Sequence, residues 1–431
     1  MRIVQIVPGT GGAFYCENCI RDLNLAAGLR EQGHDVWVLP MYLPLMPGEP
    51  PPEQVCPVFY GAVSLYLGYQ SAAFRSMPHW LRRAFDCAPM LRLAVKRAGS
   101  TRATGLEGLT LSMLEGENGG QRDELERLVD WLSTHIKPDV VHLSNALLIG
   151  LAHRLKQELN ARVGCFLQDE DTWVNAMDGN YPRQAWELMA AKAKDVDLFF
   201  PVSRHYAERM QPLMQIPDSK LQIVHNGIDT SAFTPGEAPP SPPVIGYLSR
   251  MCDALGLEIL VDAFILLKQD PRFAALQLRA LGGATQDDEP LLGRLRAKLL
   301  QAGMLSDAQF LKDFDRPVRA GFLKGLTLMS VPARQGEAFG MYQLESLASG
   351  IPVVQPALGA FPEVIELTSG GITYEPNDAP TLAAALASLL SDPDRCQTLG
   401  NQGRDAVQRE FTMNTMAAKT AAAYETIGAS T

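Results

Sequence analysis

Residues 332–362 read PARQGEAFGMYQLESLASGIPVVQPALGAFP. An apolar run ends just before this segment, near Val331, and residues with helical spacing begin just after Gly340. The segment therefore predicts a strand, a short loop carrying Glu337, and a helix. Glu345 follows the predicted helix start by about one turn, roughly 6 Å. The N-terminus of a helix presents unpaired backbone N–H groups and the positive end of its dipole, so this turn is suited to bind phosphate.

Two carboxylates flank this predicted phosphate site. Glu337 precedes the helix and Glu345 lies within it, while Gly340 allows a ligand to approach the backbone closely. One carboxylate can accept hydrogen bonds from sugar hydroxyls and the other from ribose hydroxyls, at about 1.5–3 kcal/mol each. Either glutamate alone is explained as a solvated surface acid. Their combination with the glycine and the strand–loop–helix context favours a nucleotide-sugar site.

The N-terminal half opens with a strand at 3–7, a glycine turn at 8–12 and a helix that ends at Gly33. Alternating strands and helices of this kind predict a Rossmann-like unit with a buried parallel sheet. Further elements follow the same pattern. We predict strands at 36–39, 139–143, 163–167, 198–202 and 221–224, and a helix at about 147–159.

A segment at 235–243 contains five prolines and has the composition of a linker. The strand–helix alternation restarts after it. We predict strands at 244–248, 276–281, 327–331, 352–355 and 371–374, and helices at 257–267, 289–302, 341–349 and 381–390.

The predicted fold class is therefore α/β, with two Rossmann-like domains facing a central cleft. The first domain is predicted at 1–238, with an insert at about 41–137, and the second at 239–412. The alanine-rich helix at 413–431 is predicted to return to the first domain.

Bulk composition excludes several classes of protein. Hydrophobic residues make up 46% of the 431 residues and the net charge is −10, which fits a globular protein and argues against a nucleic-acid partner. Of seven cysteines only Cys16 and Cys19 form a C-x-x-C pair, which favours reduced thiols over a metal site. We find neither a signal peptide nor a membrane span, and expect a cytoplasmic protein without a metal or cofactor.

A nicotinamide dehydrogenase is the obvious alternative for a glycine turn after the first strand. Such enzymes carry a ribose-binding acid at the end of the second strand. This chain has Leu39-Pro40-Met41 there, without a carboxylate. The dinucleotide interpretation is therefore rejected.

With two glutamates separated by seven residues, Glu337 and Glu345, the sequence resembles the family-four retaining glycosyltransferases of GT-B fold. The resemblance covers both halves of the chain but not the stretch from about 41 to 137. Supporting segments are Gly11-Gly12, 33–36, 197–203, 224–229 and 246–250.

The resemblance implies a role for each matching residue. Glu345 would hold the donor's ribose and Glu337 the transferred sugar, in a metal-independent reaction that retains anomeric configuration. The implied donor-binding set is Gly11, Gly12, Arg250, Glu337, Phe339, Gly340, Met341 and Glu345. Further candidates for the site are His142, Ser203, Asn226 and Arg334.

Two positions depart from the family pattern. Leu255 replaces a lysine that would contact the diphosphate, with Arg334 or Arg316 as possible substitutes. Where many relatives carry a histidine near the transferred sugar, this chain has three consecutive acids at 169–171. These are either an altered acceptor or sugar site, with Asp169 and Glu170 as catalytic candidates, or a solvated loop.

The stretch 70–104 has seven basic residues and one acid, a net charge of +6, interleaved with apolar residues. This pattern suits an anionic membrane surface or a lipid-linked acceptor. Packing of the insert onto its own domain is the favoured interpretation, because most amphipathic stretches are ordinary core helices. The acceptor is expected to be a saccharide, a lipid-linked sugar or a small molecule. The alternative to an enzyme is a catalytically silent relative that binds a nucleotide sugar or a protein partner.

Overall fold

The computed structural model describes residues 1–9, 14–42, 56, 60, 103 and 105–428. The chain divides into two compact units. The N-terminal unit comprises Met1–Gly12, Asn18–His225 and Asn414–Thr431, and the C-terminal unit comprises Ala13–Glu17 and Asn226–Met413.

In the described part of the N-terminal unit, five parallel strands form one sheet of order β2-β1-β3-β4-β5. Their apolar side chains are almost completely buried, because helices cover both faces of such a sheet. The strands are β1 (Arg2–Val7), β2 (Asp35–Pro40), β3 (Val140–Leu143), β4 (Arg162–Leu167) and β5 (Leu198–Pro201).

Helices alternate with these strands. They are α1 (Glu17–Glu31), α2 (Glu107–Glu115), α3 (Arg122–His135), α4 (Ala152–Leu159), α5 (Glu170–Asn175), α6 (Tyr181–Lys192) and α7 (Arg204–Met214).

The described C-terminal unit contains a second parallel sheet of six strands, in the order β11-β10-β9-β6-β7-β8. Both sheets are doubly wound, which confirms the predicted α/β class with two Rossmann-like domains. The strands are β6 (Val244–Leu248), β7 (Gln277–Leu281), β8 (Ala308–Leu311), β9 (Leu328–Met329), β10 (Val353–Pro356) and β11 (Gly371–Tyr374).

The helices of the C-terminal unit follow the same alternation. They are α8 (Leu257–Leu267), α9 (Glu289–Gln301), α10 (Arg316–Lys324), α11 (Met341–Ala348), α12 (Phe361–Thr368), α13 (Ala379–Leu390) and α14 (Pro393–Glu410).

The final helix, α15 (Met413–Gly428), belongs to the N-terminal unit from Asn414 onward. The Asn414 amide donates to Glu31 at 2.8 Å, and Arg162 donates to the Tyr424 carbonyl at 2.9 Å. Tyr424 is completely buried. The chain therefore ends by completing the core of its first unit.

Several boundaries differ from the predictions. The units divide between His225 and Asn226 rather than after residue 238, because the backbone of Ile228 bonds to Phe411 and Met413 of the C-terminal unit. The predicted helix at 147–159 begins as a 3-10 helix, Ala146–Leu151. The sequence did not predict strand β8 or the helices α2, α3, α5, α6, α7, α10, α12 and α14.

The predicted strand at 221–224 is wrong. Leu221 forms an isolated bridge to Phe199, and the amides of Gln222 and Val224 donate to β5. Pro201 at the end of β5 has no N–H to donate in return, so a regular ladder is not completed there.

Two predictions lie outside the described residues. They are the role of Gly11 and Gly12, and the basic stretch of the insert, of which only Ala103 is described in the 70–104 window. Among the described residues, no helix combines the length and the apolar character needed to cross a membrane.

Candidate functional site

The order of the C-terminal sheet reverses between β6 and β9, which lie side by side. Ligands of doubly wound sheets bind at the carboxyl ends of the strands at such a reversal. Arg250 follows β6, and the loop carrying Glu337 follows β9. The topology thus brings these two predicted residues to the same edge of one sheet.

Glu337 is held by the loop that follows β10. Its carbonyl accepts a hydrogen bond from the Ala360 amide at 3.0 Å. Gly359 packs so closely that an added Cβ would lie 2.6 Å from the Glu337 nitrogen. The buried Tyr342 hydroxyl donates to the Glu337 carboxylate. Burial, followed by the charge of Glu337, raises the pKa of Tyr342 well above its usual value, so this hydroxyl remains a neutral donor.

Gly340 forms the N-cap of α11 with φ +83°. An added Cβ would lie 2.8 Å from the side-chain nitrogen of Gln343, which itself donates to the Phe339 carbonyl at 2.9 Å. The Gln343 backbone amide donates to the Gly340 carbonyl at 3.0 Å, and among the described residues no side chain caps the N–H groups of the two residues before it, which face the start of the helix where a ligand phosphate can bind. Met341 opens the helix with its side chain buried.

Glu345 lies in the second turn of α11 and is 1% exposed. Its carboxylate accepts from Arg319 of α10, which is also 1% exposed. The Arg319 Nε lies 3.2 and 3.1 Å from the two carboxylate oxygens, and Nη2 lies 3.0 Å from Oε1. The sequence analysis did not identify Arg319. The sequence signal for it was helical spacing: Arg319 comes three residues before Phe322 and four before Leu323, and so lies on the apolar face of the helix.

Arg250 already has an acidic partner. Its Nε donates to Asp288 at 2.9 Å, Nη2 contacts Thr285 at 3.0 Å, and the guanidinium lies 5.0 Å from the Phe14 ring centre. Thr285 and Asp288 form a capping box, a pattern visible in the sequence that was missed. The arginine predicted to bind the diphosphate is therefore part of a neutral pair.

The two proposed substitutes for the missing lysine are paired in the same way. Arg334 donates to the carboxylate of Asp253 at 2.9 Å, and Arg316 forms an ion pair with Asp229. Leu255 is half-buried just before α8. In the C-terminal unit, the positive charge of each of these two arginines is therefore already balanced by an aspartate.

In the N-terminal unit, Glu170 is buried at the start of α5. One carboxylate oxygen accepts from the Ala146 amide at 2.9 Å and the other from the Tyr206 hydroxyl at 2.8 Å. The neighbouring Asp171 accepts from the same hydroxyl and pairs with Arg209 at 2.6 Å. These contacts favour a structural role for Glu170 over the catalytic role considered from the sequence, and they exclude a simple solvated loop.

Asp169 follows β4 in the left-handed region, with φ +67°. Burial, together with the charges of Asp171 and Glu170, raises the pKa of Asp169 to about 7. The preceding Gln168 accepts from the buried Arg21 at 2.9 Å. Asp169 can therefore change its protonation near neutral pH.

Arg21 is the buried cation of this edge, and the sequence analysis missed it. It contacts Asp22 at 2.7 Å and the Ser144 carbonyl at 2.6 Å. An Arg–Asp pair between the apolar Ile20 and Leu23 was the available signal.

Three weaker candidates have different surroundings from those expected. The His142 Nδ1 contacts the Tyr424 hydroxyl, and its ring packs against Phe166. Burial lowers the pKa of His142 to about 3, so it is a neutral residue of the core, and these contacts favour a structural role over a role in the site. Ser203 caps α7 by accepting from an amide at 3.0 Å. Asn226 is fully buried at the start of the C-terminal unit.

Among the described residues, no group of three or more His, Cys, Asp or Glu side chains is arranged to hold a metal ion.

Two family models match this chain. The model of glycosyl transferases group 1 matches residues 230–406, and that of glycosyltransferase family 4 matches residues 114–232.

Curated proteins similar to this chain are named as a glycosyltransferase and as a glycogen synthase. The D-inositol 3-phosphate glycosyltransferase of Jonesia denitrificans is 27% identical over 51% of this chain and 54% of its own length. The glycogen synthase of Mycobacterium tuberculosis is 23% identical over 67% of this chain and 69% of its own. The chain thus spans about half the length of the first relative.

Solved structures show the same fold. Sucrose-phosphate synthase from Thermosynechococcus elongatus has a TM-score of 0.72 at 18% identity over 100% of both chains. Anabaena HepE in complex with UDP and glucose has a TM-score of 0.65 at 14% identity over 99% of both. These neighbours are GT-B glycosyltransferases.

Proposed function

We propose that this chain, which belongs to the family-four glycosyltransferases of GT-B fold, transfers a sugar from a nucleoside-diphosphate-sugar donor to an acceptor hydroxyl. The proposed enzyme is of hexosyltransferase type, retains the anomeric configuration and works without a metal ion or cofactor. The C-terminal unit holds the donor, and the N-terminal unit handles the acceptor.

One observation carries the proposal. Glu337 comes three residues before the uncapped start of α11 and Glu345 follows in its second turn, and the loop that carries Glu337 leaves the sheet at the edge where the strand order reverses. A phosphate at the start of the helix would have a sugar-binding carboxylate before it and a ribose-binding carboxylate after it. Few ligands other than a nucleotide sugar carry a phosphate between two polyhydroxylated rings.

The names of structural neighbours support the nucleotide part of the donor. HepE structures are described in complex with UDP, with UDP and glucose, and with UDP-glucose. We propose a donor of the same chemical class for this chain. Its base and sugar are for the donor panel below to identify.

In the proposed reaction, the bond between the anomeric carbon and the phosphate oxygen breaks and its electron pair leaves with the diphosphate. The acceptor oxygen bonds to the anomeric carbon on the same face, and its proton passes to the departing diphosphate. Charge therefore develops on the diphosphate, where fixed N–H groups and arginine act most effectively because water is excluded. The first turn of α11 and Arg250 are the proposed donors of this stabilisation.

On the acceptor side, we propose that Asp169 accepts a hydrogen bond from the reacting hydroxyl. With a pKa of about 7, Asp169 is a carboxylate in a substantial fraction of molecules at neutral pH and can accept this hydrogen bond, while the proton itself passes to the diphosphate. Its neighbours Glu170 and Asp171 keep the loop in place through Tyr206. The acceptor is proposed to be a saccharide, a lipid-linked sugar or a small molecule that presents a neutral hydroxyl.

Two features favour the non-catalytic alternative. Leu255 removes one cation from the family's diphosphate site, and Arg250 is already neutralised by Asp288. A weakened diphosphate site would still bind a nucleotide sugar, but it would not stabilise the charge that develops on the departing nucleoside diphosphate. Under this alternative the chain is a nucleotide-sugar-binding protein.

A panel of isotope-labelled UDP-, GDP- and ADP-sugars separates the two. Slow donor hydrolysis, together with sugar transfer when a suitable saccharide acceptor is added, supports the enzyme, and Glu337→Gln is the matched control with strongly reduced activity. NMR of the product's anomeric proton tests retention, and excess EDTA tests metal independence. Binding of a donor without hydrolysis or transfer across the panel would favour the non-catalytic alternative.

A further inference from the structure

The ion pair between Arg319 and Glu345 is unusual for its burial, since both side chains are 1% exposed. Removing two charges from water costs several kcal/mol per ion, and apolar pairs often replace buried ion pairs without loss of stability. Arg319 also sits at an inward position of α10, beside the buried Phe322 and Leu323. Stability alone therefore does not explain why an arginine occupies this position.

The geometry fixes the orientation of the carboxylate. The Arg319 Nε contacts both Glu345 oxygens, and Nη2 contacts one of them. The guanidinium is itself oriented, because Nη1 donates to the Phe314 carbonyl at 2.9 Å and the group lies 5.5 Å from the centre of the Tyr15 ring. Arg319 therefore cannot rotate without breaking contacts on three sides.

This arrangement leaves acceptor capacity on the carboxylate. A carboxylate offers about four lone-pair positions, so a ligand hydroxyl can still donate to an oxygen that Arg319 already contacts. The pair is also neutral overall, so it adds little repulsion toward a nearby diphosphate. An unpaired Glu345 would carry a full negative charge at the ribose end of a dianionic ligand.

We propose that Arg319 is a positioning residue for nucleotide recognition, which holds Glu345 in one orientation so that the two hydroxyls of a ribose donate to it. The inference rests on the proposed function and deepens it. It assigns the specificity for ribonucleotides over deoxyribonucleotides to the Arg319–Glu345 pair.

The test is calorimetric titration with UDP, GDP and ADP, each beside its 2′-deoxy counterpart. The wild type is expected to prefer the ribonucleotide by about tenfold to a hundredfold, the worth of one charged hydrogen bond. Arg319→Lys keeps the charge but loses the planar geometry, so this preference should fall to about threefold or less. Affinity for the deoxynucleotide should change little.

Two further variants isolate the effect from general destabilisation. Tyr15→Leu removes the ring beside the guanidinium and leaves Arg319 and Glu345 in place, so it should also lower the ribose preference. It replaces Arg319→Lys as the test if that variant does not fold. Lys268→Met breaks a half-buried ion pair of the same unit, with Asp307 at 2.7 Å, beyond the end of α8. It should lower thermal stability and leave the ribose preference unchanged.

The outcomes separate the two proposals. Absence of binding by every nucleotide to the folded wild type would overturn the proposed function, and this inference with it. A wild-type ribose preference that persists in folded Arg319→Lys would overturn the role of Arg319 alone. Equal loss of preference in Lys268→Met would show that the effect reflects stability rather than positioning.

Discussion

Buried acids near the carboxyl edges of the two sheets have different kinds of hydrogen-bonding partner. In the C-terminal unit, Glu345 and Asp288 each have an arginine partner. In the N-terminal unit, three consecutive acids share one short segment, where Tyr206 and a backbone amide satisfy Glu170. Burial and the neighbouring charges of Asp171 and Glu170 raise the pKa of Asp169 to about 7.

This difference suggests a division of labour. Fixed charges and helix N–H groups suit a ligand whose own charge is constant, such as a diphosphate. An acid that titrates near neutral pH suits contact with a neutral hydroxyl that must lose a proton. The following predictions test each side of this comparison.

The largest expected effect is on turnover. Glu337→Gln should lower kcat/KM by about a hundredfold, because the lost charge removes hydrogen bonds to the transferred sugar worth about 1.5–3 kcal/mol each. Glu410→Gln, at the exposed end of α14, is the matched control and should have wild-type activity. Near-normal turnover by Glu337→Gln would remove this residue from the sugar site.

A smaller effect is expected from restoring a cation to the diphosphate site. Leu255→Lys should tighten nucleoside diphosphate binding by about tenfold, as one charged hydrogen bond would, while nucleoside binding stays constant. Leu300→Lys, at an exposed position of the same unit, controls for net charge. Equal tightening by both variants would mean that Leu255 does not face the phosphates.

The smallest effect concerns the pH dependence of stability. The folded-state pKa of Asp169 lies above its ordinary value of 3.8, so the folded protein holds this proton more tightly than the unfolded chain. The wild type should therefore lose stability relative to Asp169→Asn as pH rises from about 4 to 7, and the difference should level off above 7.

The control for this prediction has the opposite sign. The hydrogen bond from Arg272 lowers the pKa of Asp270 in the C-terminal unit, so its contribution is present above the ordinary pKa and is lost on acidification. Urea unfolding from about pH 2 to 8 compares Asp169→Asn and Asp270→Asn with the wild type, and the Asp270 contribution should fall only below about pH 4. A flat difference for Asp169→Asn would show that its carboxyl is not perturbed.

The sequence predicted the features that depend on local pattern. Apolar periodicity located β6 and α8 within a residue of their observed bounds, and the glycine-containing loop located the start of α11. Burial and pairing depend on contacts distant in sequence, so the partners Arg319 and Asp288 were missed. For the same reason the sequence did not show that His142 is packed in the core, because its neighbour Tyr424 lies 282 residues away.

The account depends most directly on Glu345 binding the donor's ribose. Calorimetry should compare the wild type with Glu345→Gln, using UDP, GDP and ADP and their free nucleosides. We predict that the variant weakens the nucleotide that binds best by about tenfold to a hundredfold, with its fold intact by circular dichroism. Unchanged affinity in a folded Glu345→Gln protein would contradict the account.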